Sequence, residues 1–330
     1  MSYHQDLGRL MNRMLRNGQM HYDAPEWATL QQIQAARNAL PEDVIAPPLR
    51  QLDGVGLMCE NLQVTGAYKV RAICHIMNLK AKGLGEKGLA LASSGNFAVA
   101  LAWAGRYYGV PVTAVMMRRS QPWKVARVKA WGGQVVFSGD STEERTAVLH
   151  TLKDQGIHIV DHLSDPQVLV GHATLGLDLA RAQPRQVVVP ASTGGLLVAT
   201  SLALKQIDPL VRIVGVQPKG ANAMVDSLRN GELRRLEQVV TECDALTANR
   251  PGDLPWELAQ QWVDDMVEVS EQDVRETVCY LAEEAKLVVE PGGAAGLAAY
   301  RSGQIPRQQG TWIVLSGGNI APARLAEWLS

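Results

Sequence analysis

The residues best suited to chemistry are one lysine and three short polar turns rich in glycine. Lys69 ends the run Glu60-Asn61-Leu62-Gln63-Val64-Thr65-Gly66-Ala67-Tyr68-Lys69, just after a glycine turn and at the start of a helix expected through Ile76. By itself such a lysine is an ordinary solvated charge. The turns Ser93-Ser94-Gly95-Asn96, Ser192-Thr193-Gly194-Gly195-Leu196 and Ser316-Gly317-Gly318-Asn319 change its meaning, because each follows a short apolar strand. Glycines let backbone N–H groups approach an anion, and a helix start adds the positive end of its dipole. The turn after Val187-Val188-Val189 is a phosphate site on these grounds, or else a tight strand–helix turn with nothing bound. At the first turn, the Ser94 hydroxyl and the amides suit a carboxylate, and Asn96 offers an amide donor.

Alternating strands and helices must position these groups. Residues 88–92, 110–116, 134–137 and 157–160 read as strands, with helices over 97–108, 121–131 and 142–154 between them. A second series follows Asp165: strands at 186–189, 212–216, 266–269 and 312–315, and helices at 171–181, 196–206, 221–228, 271–284 and 294–300. This is an α/β chain with parallel sheets. Open parallel sheets bind ligands at the carboxyl ends of their strands, so the three turns are expected to converge on one cleft. The run Gly83-Leu84-Gly85-Glu86-Lys87-Gly88 matches a dinucleotide fingerprint in letters only, since it precedes a strand instead of following one. A phosphate site, a lysine near it and no nucleotide motif point to pyridoxal phosphate, with Lys69 forming the Schiff base.

The bulk numbers fit a globular protein. The 330 residues are enough for two domains, and 46% hydrophobic content can fill a core. A net charge of −1 provides no broad basic field for nucleic acid or an anionic membrane. Lys124, Arg127 and Lys129 share a helix face, which reads as solvated. Cys59, Cys74, Cys243 and Cys279 form no C-x-x-C or zinc spacing. No apolar stretch reaches the roughly 18 residues of a membrane span, and residues 1–16 lack a secretory signal, so a cytoplasmic location is expected. Residues 1–28 show little period and read as a helix or an arm, an N-terminal extension. The boundaries near 88 and 165 divide the chain into a large cofactor-binding domain, 1–87 with 165–330, and a small domain, 88–164, carrying the asparagine turn.

In this order the motifs resemble the fold-type II pyridoxal-phosphate enzymes, tryptophan synthase β-like in fold, and most closely their serine/threonine dehydratase group, from about Thr29 to the C-terminus. Beyond the Lys69 segment and the three turns, the resemblance rests on Val214-Gly215-Val216-Gln217-Pro218, Val263-Asp264-Asp265 with Val269-Ser270-Glu271, and Val289-Glu290-Pro291-Gly292-Gly293-Ala294. It implies that Lys69 holds the cofactor and moves the Cα proton. Asn96 would face the phenolic oxygen, and Ser192, Thr193, Gly194, Gly195 and Leu196 the phosphate. Ser316 would face the pyridine nitrogen, with Glu290 and Gly317 in the same cofactor set. Ser93, Ser94, Gly95, Asn96 and Phe97 would meet the substrate. The implied activity is that of an ammonia-lyase, converting a β-hydroxy amino acid to a 2-oxo acid and ammonia, in a homodimer.

Several positions depart from the family pattern. Ser192 and Thr193 replace two glycines of the phosphate loop. Phe97 stands where histidine is common, and the expected Gly-Gln-Gly-Thr is Gly171-His172-Ala173-Thr174. Gln217 replaces an acidic residue that helps bind a divalent cation in related racemases and dehydratases, so no metal is expected. Phe97 and Tyr68 read as core or as pocket lining. Ser94 either binds the substrate carboxylate or serves the opposite face of Cα, which would permit racemisation. Other readings are β-replacement, as in cysteine-synthase relatives, and a catalytically silent binding protein.

Overall fold

Val187, Val188 and Val189 have no exposed surface, and a strand apolar on both faces belongs inside a parallel sheet. A computed structural model places them there. It describes residues 22–330 and the backbone pairing of Leu15–Arg16 with Gln19–Met20. Most of the 1–28 extension therefore lies outside the described residues.

The larger sheet contains β1 (Leu49–Leu52), β2 (Val55–Met58), β7 (Gln186–Pro190), β8 (Arg212–Pro218), β9 (Asp265–Val269) and β10 (Thr311–Val314). Its spatial order is β9-β8-β7-β10-β2-β1, and every pair is parallel except β1 with β2. The smaller sheet contains β3 (Leu89–Ala92), β4 (Val112–Met117), β5 (Gln134–Ser138) and β6 (His158–Ile159), all parallel in the order β5-β4-β3-β6.

The insertion of β10 between β7 and β2 decides which turns meet. The segment after β10 comes to rest between the segment leading to Lys69 and the glycine turn after β7. Backbone bonds fasten it: Tyr68 donates to the Ser316 carbonyl (3.1 Å), and Gly318 to the Gly66 carbonyl (2.8 Å).

The helices that frame this end are α2 (Lys69–Leu84), α3 (Asn96–Tyr108), α6 (Pro166–Ala180), α7 (Gly195–Ile207) and α11 (Pro291–Arg301). Helix α2 crosses α6 closely, since a Cβ on Gly171 would lie 2.5 Å from the Ala72 Cα. Only glycine permits that approach, and it sets His172 beside the first turn of α2. Ahead of both, α1 (Leu30–Asn38) begins with a capping box in which Thr29 and Gln32 exchange bonds.

Some elements differ from the sequence reading. Helix α2 runs to Leu84, beyond Ile76. Helix α6 begins five residues before Gly171, because the Asp165 side chain caps it, accepting from Gln167 N at 2.9 Å. Two helices, Asp253–Trp262 and Pro322–Leu329, and the antiparallel edge strand β1 were not anticipated. The discarded glycine fingerprint lies where α2 ends, before β3.

Candidate active site

Lys69 opens α2 with its amine enclosed by aromatic rings. Its Nζ lies 4.3 Å from the centre of the Tyr68 ring and 4.4 Å from that of Phe97, and it donates to the Tyr68 hydroxyl. Burial brings the amine down to about 7, against the opposing pull of Glu290. A large share of Lys69 is thus unprotonated, and nucleophilic, at neutral pH. Tyr68 and Phe97 are 8% and 5% exposed. They are both core residues and lining for the lysine.

Two residues on, Arg71 anchors this helix start. Its guanidinium has no exposed surface and pairs with Glu60 and with Asp178, each at 2.8 Å. It also reaches Thr174 Oγ1 (3.2 Å) and the Ile45 carbonyl (3.2 Å). One side chain thereby ties the segment before Lys69 to α6 and to the loop at Ile45.

The turn 192–196 takes its shape from Gly194, whose φ of +98° suits glycine, and it opens α7 without a side-chain cap. The first N–H groups of a helix lack intrahelical partners, so the backbone donors at the start of α7 are left for a ligand. Gln217 braces the turn by donating to the Ser192 carbonyl (3.1 Å) and accepting from Met224 N (2.9 Å) and Val225 N (3.0 Å). That is a structural employment for the amide that stands in place of an acid. Among the described residues no cluster of His, Cys, Asp or Glu has the makings of a metal site. A Cβ on Gly194 would come within 2.3 Å of Met224 Cε. Gly194→Ala is therefore expected to cost about 1–3 kcal/mol and to weaken cofactor binding. Urea denaturation and titration of the cofactor-free protein check both parts.

The asparagine turn joins the two sheets through a chain of amides. Asn96 Nδ2 donates to Glu290 Oε1 (2.7 Å), and Asn319 Nδ2 donates to Asn96 Oδ1 (2.9 Å). Arg127 Nη1 then donates to Asn319 Oδ1 (2.9 Å). Arg127 lies on α4 (Pro122–Ala130), as does Lys124, whose ammonium is buried and pairs with Asp244 at 2.5 Å. The reading of this face as solvated is thus corrected: Lys129 is exposed, but Lys124 and Arg127 dock against the opposite unit. Helical spacing shows which cations share a face; it does not show what that face meets.

Glu290 is buried, and its Oε2 has no partner. Burial and the nearby Asp244 raise its carboxyl to about 8, against Lys124, Asn96 and Lys69. The folded state thus holds this proton from the usual 4.5 up to about 8, a range in which the unfolded chain has lost it. The stability so contributed is full below pH 4.5 and disappears as pH rises through 8. Glu290→Gln lacks this dependence. In cofactor-free protein, the advantage of the variant over wild type is expected to grow from pH 4.5 to 8 in urea titrations; a constant difference would contradict this.

The remaining sequence-predicted residues fall around this centre. Ser93 Oγ accepts from Gly95 N (3.2 Å), while Ser94 Oγ accepts from Met117 N (3.0 Å) and lies 2.8 Å from Ser120 Oγ. Ser316 is buried, and Gly317 bridges to Ala67. Two histidines outside the expected site residues also lie here. The rings of His172 and Tyr68 are 4.7 Å apart, as are those of His162 and Phe97. Burial and the charge of Lys69 push both imidazoles down, His162 to about 4 and His172 well below its usual range. The only signal for His172 was its place in Gly-His-Ala-Thr.

A model of the pyridoxal-phosphate dependent enzymes matches residues 44–317. The chain belongs to that family. The L-threonine ammonia-lyase of Thermotoga maritima is 36% identical over 271 residues, which cover 80% of this chain and 67% of that one. The chain thus spans about two thirds of that relative's length. Maize serine racemase superposes with a TM-score of 0.86 at 29% identity, over 91% of this chain and 96% of that one. The processed form of threonine deaminase isoform 2 from Solanum lycopersicum superposes with a TM-score of 0.83 at 28% identity, covering 91% and 92%. The fold is that of the fold-type II enzymes, and the family is pyridoxal-phosphate dependent.

The residues present fit this group. An amine poised near neutrality suits an aldehyde, and an uncapped helix start behind a glycine turn suits a phosphate. A Cβ on Gly95 would meet nothing within 4 Å, which leaves room before the asparagine turn.

Proposed function

We propose that this chain is a pyridoxal-phosphate-dependent ammonia-lyase, eliminating the β-hydroxyl of a threonine- or serine-like amino acid to give a 2-oxo acid and ammonia. The observation that carries the reading is the Lys69 amine, set against two aromatic rings at the first residue of α2, where the strand ends converge. When bound, the cofactor supplies an electron sink for the pair left at the substrate Cα. Lys69 holds the cofactor and takes the Cα proton, which requires the unprotonated amine that burial provides. Ser192, Thr193 and the amides of Gly194, Gly195 and Leu196 hold the phosphate. Asn96 orients the phenolic oxygen, with Glu290 and Gly317 behind it. Ser316 faces the ring nitrogen with a hydroxyl, which does not fix a proton there as a carboxylate would. Ser93, Ser94 and Gly95 receive the substrate carboxylate, and Phe97 and Tyr68 keep water from Lys69.

Elimination is preferred to inversion because the 36%-identical relative is an L-threonine ammonia-lyase. The proposal includes the division into 1–87 with 165–330 and 88–164, an amino-acid substrate, a cytoplasmic location and a homodimer. Among the described residues no helix is long and apolar enough to cross a membrane.

The test is to supply the cofactor-loaded protein with L-serine and L-threonine and to follow ammonia, 2-oxo acid and amino-acid chirality together. Ammonia and 2-oxo acid in equal amounts are expected. Recovery of the amino acid with inverted chirality would instead identify a racemase, and a product seen only with added thiol would identify β-replacement.

A further inference from the structure

One polar group beside Lys69 is left without employment by that reading, on which the following inference rests. His172 follows Gly171, the point where α6 and α2 come closest. Its ring centre lies 4.7 Å from that of Tyr68 and 5.6 Å from that of Phe97. Lys69 Nζ lies over the same two rings, so the imidazole and the amine share both aromatic neighbours. His172 is 2% exposed, and its Nδ1 has no hydrogen-bond partner. A buried polar nitrogen left unpaired is costly, and here it stands beside the amine that works at the substrate Cα.

The chemistry of this nitrogen narrows what can pair with it. Burial, together with the charges of Lys69, His162 and Arg71, keeps the ring from protonating. A neutral imidazole presents one N–H and one lone pair, and it does not readily give up its remaining proton. A hydroxyl complements either tautomer, because it donates and accepts. A chloride or a methyl leaves the nitrogen unpaired.

We propose that His172 Nδ1 hydrogen-bonds the β-substituent of the substrate, making this residue the determinant that selects β-hydroxy amino acids. It takes no part in proton transfer. Its contribution is to hold the hydroxyl in a pocket whose other walls, Tyr68 and Phe97, are aromatic rings.

The experiment compares L-serine with β-chloro-L-alanine, which differ only in the β-substituent, in the wild type, His172→Phe and His172→Asn. Phenylalanine keeps the ring packing and removes both nitrogens; asparagine restores a polar group near Nδ1. The ratio of kcat/KM for serine to that for chloroalanine is expected to fall about tenfold in His172→Phe and to recover in part in His172→Asn. Cofactor affinity and the visible absorbance of the loaded protein, followed in parallel, are expected to match the wild type. An unchanged ratio, with both substrates lost equally or neither affected, would overturn the assignment, as would a wild type that processes chloroalanine and not serine. If the wild type releases ammonia from neither substrate, the ammonia-lyase reading itself fails, and that outcome is separately visible.

Discussion

Lys69→Ala is expected to lower turnover by about 10⁴-fold or more, since it removes both the amine that holds the cofactor and the base at Cα. The visible absorbance of the loaded protein should vanish with it. Stability of the cofactor-free protein should not suffer in proportion. The native amine is desolvated, as its descent to about 7 shows, so deleting it also relieves a folding cost. Steady-state rates, absorbance and urea midpoints on one preparation separate these effects. A variant that keeps the band and most of its rate would require another lysine to hold the cofactor.

The second large effect is on folding. Arg71→Met is expected to destabilise the protein by about 3–5 kcal/mol, the usual cost of leaving buried charges unpaired. Glu60 has no exposed surface and Asp178 is 6% exposed. Asp178 retains Arg37 Nε at 2.9 Å, whereas Glu60 keeps only the bond from Gln63 Nε2, at 3.1 Å. Arg71→Lys should recover only part of the loss, because a point charge does not reproduce the fork that meets Glu60, Asp178 and Thr174 at once. Urea denaturation of cofactor-free protein reads this directly. The double variant Arg71→Met with Glu60→Gln should be more stable than Arg71→Met alone, because it removes the stranded carboxylate; if it is not, the buried pair is not the cause.

Much of the candidate site was legible because its signals are local. A glycine turn after a buried valine run, or a serine–glycine pair before an apolar helix, carries its own geometry. The segment through Lys69 and the turns at 93–96, 192–196 and 316–319 needed no knowledge of tertiary contacts. What stayed hidden depends on which faces meet. Lys124 and Arg127 have the spacing of a solvated face, yet α4 turns them toward Asp244 and Asn319. The insertion of β10 between β7 and β2 is a matter of strand order, which periodicity does not encode. His172 reads as a local departure in the chain; its placement comes from the Gly171–Ala72 approach that sets it beside Tyr68. The helix Asp253–Trp262 was obscured by Pro255, which sits in its first turn, where proline's missing N–H is harmless.

The measurement that tests the central claim most directly is to reduce the cofactor-loaded protein with borohydride, digest it and locate the phosphopyridoxyl group by mass spectrometry. The account predicts a single modified peptide, with the group on Lys69. Modification of Lys124, Lys205 or another lysine in its place, or none at all in protein shown to be folded, would contradict it.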